Sequence, residues 1–196
     1  MKPAPKADVA RLRTYWAANK PGETSAPAYW PDPPAWWQLA TALAATLLVQ
    51  SSIAPFVAIR GAIPSGVLLL VGWYAVRAGS LRGCTFGLIA GACEDAVSGA
   101  TGVAWTFATA LAGALAGRLA RTWLADTKLA LVPAAAAITL VRYVAFALVM
   151  QLQGRPIPLG LMHLHAALWQ AALDALIAYA ILAALPQLGG QSAHRR

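Results

Sequence analysis

Charge is the scarcest commodity in this chain of 196 residues: only 11% are Asp, Glu, Lys or Arg. Soluble domains carry about 25%, and with 59% hydrophobic residues and a mean hydropathy of +0.59 the sequence reads as an integral membrane chain. Acidic residues are fewest, 7 against 15 basic ones. Cysteine is limited to Cys84 and Cys93, nine residues apart in one apolar segment. On a helix they stand about 13 Å apart, too far for a disulfide between them. Alternating apolar and polar residues are missing too, which argues against a β-barrel. Before Trp37 the chain is polar and proline-rich, without the compact apolar core of a signal peptide.

The catalytic templates are also missing. The sequence has no Gly-x-Ser-x-Gly elbow, no His-Glu-x-x-His and no phosphate-binding loop. Glu94 and Asp95 are adjacent acids, but neighbours on a helix point about 100° apart and do not form an acid/base dyad unaided. His163 and His165 are two apart, so they face different sides of a helix, and no nearby cysteine or acidic cluster completes a metal site. The sequence calls for no cofactor, no metal and no nucleic acid.

What is present is room for six spans of roughly 20 apolar residues. They read as 37–57, 63–79, 83–99, 102–122, 129–151 and 160–186, an all-α membrane domain over 37–187. Pro55 and Arg60-Gly61 break the first two, Arg77 and Arg82 flank the next turn, and Ser98 to Gly102 is a tight turn of small residues built on Gly99, Thr101 and Gly102. Arg118, Arg121, Asp126 and Lys128 mark one polar crossing, and Gln151 to Pro158 another. The third span is the short one, rising only about 25 Å.

The net charge of +8 follows this topology. Lys2, Lys6, Arg11, Arg13, Lys20, Arg77, Arg82, Arg118, Arg121, Lys128, Arg195 and Arg196 fall on one side, against Arg60 and Arg155 on the other. By the positive-inside rule both termini are cytoplasmic. Residues 1–36 form a basic arm, rich in proline and tryptophan, with a short amphipathic helix expected over 7–20, and 188–196 form a tail. A disordered tail ending in an interfacial tryptophan anchor is the plainer reading of the arm. The sharper one lays its basic helix on anionic headgroups or a cytoplasmic partner.

Small residues set the helix contacts. Gly83, Gly87, Gly91, Asp95 and Gly99 recur at every fourth position, so the first three form a smooth ridge. A second stripe, Gly113 and Gly117, follows on the fourth span. Both are candidate contact faces, toward a partner or merely toward other helices of the chain.

Four ionisable residues lie within spans: Glu94, Asp95, Arg142 and Asp174. Counted at 1.5 Å per residue, Glu94 and Asp95 sit about 17 Å from the cytoplasmic side and Arg142 about 20 Å. The levels match, so Arg142 is expected to pair with one of the two acids, with Ser98 close by in the same polar network. Asp95, one turn before Ser98, is also placed to cap the fourth helix, either itself or through Thr101. A proton relay or a partner contact is the less favoured role for it. Asp174 lies about 20 Å into the last span, where Arg118 or Arg121 would reach it by snorkelling.

The run Gly87-Leu-Ile-Ala-Gly91-x-x-x-Asp95-x-x-Ser98-Gly99-x-x-Gly102, continued by Ala110 to Gly117 and Arg118, resembles the rod shape-determining MreD family. Leu47 to Gln50 before Pro55, Pro64 opening the second span, and Leu168-Trp169 in the last add to the likeness, which covers 37–187. The last glycine of the signature comes one position early. Ser65 stands where the family often has a polar or acidic residue, Gln170 where proline is common, and the arm is longer than usual.

The resemblance implies a six-helix bundle similar to the substrate-binding subunits of vitamin transporters. It further implies a non-catalytic inner-membrane scaffold of cell-wall elongation. Such a scaffold binds MreC and through it reaches MreB, a RodA-type glycosyltransferase and a class B penicillin-binding transpeptidase. The alternative is a transporter's small-solute subunit, which fits the same helices. Against it stands the lack of an evident polar cluster near the outer face, where only Trp105, His163 and His165 suggest themselves. A membrane hydrolase or transferase ranks third.

Overall fold

The computed structural model describes residues 34–52, 56, 58–59, 62–122, 131–155 and 161–184. Among these residues the chain is all-helical: α1 (Trp36–Ser52), α2 (Gly66–Ala78), α3 (Ser80–Ser98), α4 (Ala104–Thr122), α5 (Leu131–Leu152) and α6 (Leu161–Ala184). The body of the basic arm, the crossing at Asp126 and Lys128, and the C-terminal tail lie outside the described residues.

Among the described residues two helices are long and apolar enough to cross a membrane, at Val132–Leu152 and Leu164–Ile181. The other four fall short for separate reasons. α1 has 17 residues and α2 only 13, a rise of about 20 Å for the latter. α3 carries Arg82, Glu94 and Asp95, and α4 is rich in glycine and alanine and ends on Arg118 and Arg121.

Helix ends follow local chemistry. Pro64-Ser65 shortens the expected second span at its start, because Ser65 is extended (φ −95°, ψ 93°) and its Oγ accepts the Leu68 N–H at 3.2 Å. The third span begins three residues earlier than expected. Gly79 turns the chain in one residue at φ 90° while its N–H still bonds the Ala75 carbonyl at 2.8 Å. A side chain is disfavoured there on both counts, since the Arg121 guanidinium lies where a Cβ would go. With 19 residues, α3 rises about 28 Å and is no longer a short element. It ends at Gly99 in the left-handed region (φ 64°), whose N–H returns to the Asp95 carbonyl at 3.0 Å. Gly102 repeats that conformation in the expected turn.

The two glycine stripes face each other. A Cβ on Gly87 would lie 2.5 Å from the Thr109 carbonyl oxygen, and one on Gly117 would lie 2.5 Å from the Ser80 nitrogen. Gly83 meets Ala75 and the Gly113 backbone, and Gly91 meets the Trp105 carbonyl. The ridge therefore seats α4 of the same chain, the second of the two roles the sequence left open. Close approach of backbones is what the missing side chains provide.

Behind this pair, Leu39, Leu43, Val67, Val71, Phe86 and Ala90 join α1, α2 and α3, and Leu68, Ala75, Ala112, Ala116 and Ile138 join α2, α4 and α5. α6 packs on α5. Large apolar side chains also cover the outside, among them Leu48, Ile89, Leu111, Val144, Leu168 and Leu176. An apolar exterior of this extent is not the surface of an ordinary soluble monomer.

Candidate functional site

Arg142 lies at the centre of a polar network that reaches all six helices. It is 2% exposed. Its Nε donates to Thr109 Oγ1 at 3.1 Å, Nη1 to Ser65 Oγ at 2.7 Å, and Nη2 to both carboxylate oxygens of Glu94 at 2.6 and 2.5 Å. The guanidinium also lies over the Trp105 ring, 4.3 Å from its centroid. Glu94 in turn accepts from Thr109 Oγ1 at 3.1 Å and from Gln50 Nε2 at 3.4 Å. An ion pair with this many further hydrogen bonds offsets the cost of removing both charges from water.

The expected pairing of Arg142 with one of the two acids on α3 is therefore present, and Glu94 is the partner. Asp95 points about 100° away around α3, toward α4. There Oδ1 accepts from Thr101 Oγ1 at 2.7 Å and from the Trp105 N–H at 3.1 Å. Oδ2 accepts from the Thr106 N–H at 2.8 Å and its Oγ1 at 2.7 Å. The carboxylate caps α4 from the preceding helix, taking N–H groups that have no intrahelical acceptor and standing at the positive end of the helix dipole.

Asp174 is fully buried, and the partners it takes are at the start of α2 and on α5, in place of the expected Arg118 or Arg121. Oδ1 accepts the backbone N–H of Ser65 at 2.9 Å, and Oδ2 accepts from Thr139 Oγ1 at 2.9 Å. The cause is the shortness of α2. Its first turn starts inside the bundle, where Ala62 and Ser65 are 1% and 2% exposed, so its free N–H groups need an acceptor in the interior. Arg121, by contrast, lies at the opposite end of the bundle, over Gly79. Ser98 is corrected as well. It is exposed and lines a cavity mouth, outside the buried network.

That cavity, about 310 Å³, opens between the C-terminal ends of α1 and α3 and the N-terminal ends of α2 and α4. Gln50, Ser65, Glu94, Arg142, Tyr143 and Gln170, with Ser51 and Ser98, supply its polar lining, and Leu47, Ile63, Val97 and Trp105 its apolar one. Tyr143 donates its hydroxyl to Gln170 Oε1 at 2.5 Å. A polar cluster thus exists at the end where the sequence reading found none. Of the three residues suspected there, Trp105 lines the cavity. His165 is exposed instead and accepts from Trp169 Nε1 at 3.0 Å, and the His163 side chain lies outside the described residues.

Sequence reasoning missed most of the neutral members of this network. Ser65 had a usable signal, a serine after proline at the head of an apolar run. Thr109, Thr139 and Tyr143 had none, since a lone hydroxyl in an apolar helix gives no clue to its direction. Against known proteins, the chain matches no family model, no curated protein and no solved structure.

Proposed function

We propose that this chain is a non-catalytic, multi-span scaffold of a bacterial inner membrane that acts in cell-wall elongation as an MreD-like protein. On this reading it binds an MreC-type single-span protein and through it a RodA-type glycosyltransferase, a class B penicillin-binding transpeptidase and MreB. The observation that carries the reading is the use made of the residues on which the resemblance rests. Gly87 and Gly91 bring two backbones together, Asp95 caps α4, and Gly99 ends α3. The signature builds a bundle. Glu94 and Asp174 are likewise taken up by an ion pair and a helix start, leaving neither poised for acid/base work.

The apolar exterior fits lipid, with α5 and α6 as the clearest spans. Arg77, Arg82, Arg118 and Arg121 gather at one end of the bundle, on the end of α2, the start of α3 and the end of α4. By the positive-inside rule that end faces the cytoplasm, which puts both termini there and turns the cavity outward. The test is affinity purification of the full-length tagged chain from its native membrane. Recovery of an MreC-type protein is expected, and its absence counts against the scaffold. A second reading, the solute-binding subunit of a transporter, is favoured by the cavity alone. Recovery of an ATPase cassette in the same experiment selects it.

A further inference from the structure

The cavity between α1, α2, α3 and α4 has neutral donors and acceptors left over, and its carboxylate is used up. Arg142 has five N–H groups. Thr109 takes the Nε hydrogen, Ser65 takes one on Nη1, and Nη2 is turned to the Glu94 carboxylate, which leaves the second Nη1 N–H. Ser65 Oγ accepts from Leu68 N and from Arg142, so its own hydroxyl proton remains to be donated. Gln50 gives one Nε2 hydrogen to Glu94 and keeps the other. On the acceptor side, Glu94 receives two bonds from Arg142, one from Thr109 and one from Gln50, which fills a carboxylate. Gln50 Oε1 receives the Val67 N–H and Gln170 Oε1 the Tyr143 hydroxyl, which leaves each amide oxygen one lone pair.

Charge narrows the occupant further. Arg142 and Glu94 cancel each other at 2.5 Å, and fully buried Asp174 stands behind Ser65. An anion finds no cation in excess, and a cation finds no carboxylate oxygen left open to it; the other acceptors it meets are the neutral oxygens of Gln50, Gln170 and Tyr143. Trp105 offers no aromatic cage for a quaternary ammonium either, because Phe146 is stacked on its ring at 4.0 Å and Arg142 covers it at 4.3 Å. The apolar side is made by Leu47, Ile63 and Val97 with the edge of Trp105. At about 310 Å³ the space is at the small end of ligand pockets, room for a compact molecule.

We propose that this cavity binds a compact, uncharged solute with carbonyl acceptors on one edge and an apolar opposite edge, the chemistry of a cyclic amide or a carboxamide heterocycle. The acceptor edge meets the remaining N–H of Arg142, the Ser65 hydroxyl and the Gln50 amide. The inference names the solute class that the second reading requires of this cavity and rests on it to that extent; it is tested on the isolated chain, so its failure stands apart from the partner recovery that separates the two readings.

Its test is equilibrium dialysis of the full-length chain in phosphatidylcholine nanodiscs against labelled uracil and nicotinamide, with glutamate and choline as charged comparators. Saturable binding of uracil or nicotinamide, one per chain, is expected at concentrations where glutamate and choline do not bind. Val97→Trp fills the mouth from a position that is 60% exposed, so the core is left alone. It is expected to weaken binding about tenfold or more, with the melting temperature of the free chain retained. Gln50→Leu, which removes one donor, is expected to weaken it less. Failure of both neutral solutes to bind at millimolar concentration overturns the proposal. So does equal binding by wild type and Val97→Trp, or binding of a charged comparator as tight as that of the neutral ones.

Discussion

Asp174 Oδ1 accepts the backbone N–H of Ser65 at 2.9 Å, a contact across 109 residues of chain. It fixes the last helix to the first turn of the second. Ser65 passes the connection on, since its Oγ caps α2 and accepts from Arg142. One acid on α6 thereby sets the start of α2 and the seat of the central arginine.

Asp174→Leu is expected to lower stability by about 1–3 kcal/mol, the cost of leaving buried donors without an acceptor. Asp174→Asn keeps a carbonyl for the Ser65 N–H and is expected to lose less. Thermal unfolding of the two variants in one detergent measures the difference. Equal losses would remove the hydrogen bond from the account.

Asp95→Ala is expected to cost about 1–2 kcal/mol, the range for loss of an N-terminal cap. The loss is local. Amide exchange at Trp105 and Thr106 should speed up while the α5 core stays protected. Unchanged exchange at those two amides would mean that Asp95 is not the cap of α4.

Gly87→Ala places a methyl 2.5 Å from the Thr109 carbonyl, where only a shift of backbone gives room. The expected cost is about 1–3 kcal/mol from overpacking. Gly87→Leu should abolish recovery of folded, monodisperse protein. Gly99→Ala meets no atom, so only its left-handed φ of 64° counts, for about 1 kcal/mol. A folded, stable Gly87→Leu protein that has lost only its partner would restore the groove to the surface.

Much of this architecture was readable in advance, for physical reasons that differ by residue. Counting 1.5 Å per residue from the charged turns put Arg142 level with Glu94 and Asp95. It left open which acid pairs, because that depends on the rotation of α3 against its neighbours. The four-residue spacing of Gly83, Gly87 and Gly91 announced a close helix contact but could not say whose helix fills it. Asp174 was assigned the wrong partner because depth counting assumed full-length spans, whereas α2 has 13 residues and begins inside the bundle. Gly79, a turn of one residue, was hidden inside what read as a span boundary. The cavity was invisible because Gln50, Ser65, Tyr143 and Gln170 converge from four separate segments of the chain.

The central claim is that buried charge here holds helices together, and the Glu94–Arg142 pair tests it most directly through a double-mutant cycle followed by thermal unfolding. Glu94→Gln and Arg142→Gln should each cost about 3–5 kcal/mol, as removal of one partner from a buried pair does. The double variant should cost less than their sum by about 1–3 kcal/mol. Strictly additive losses, or an Arg142→Gln protein as stable as the parent, would contradict the account.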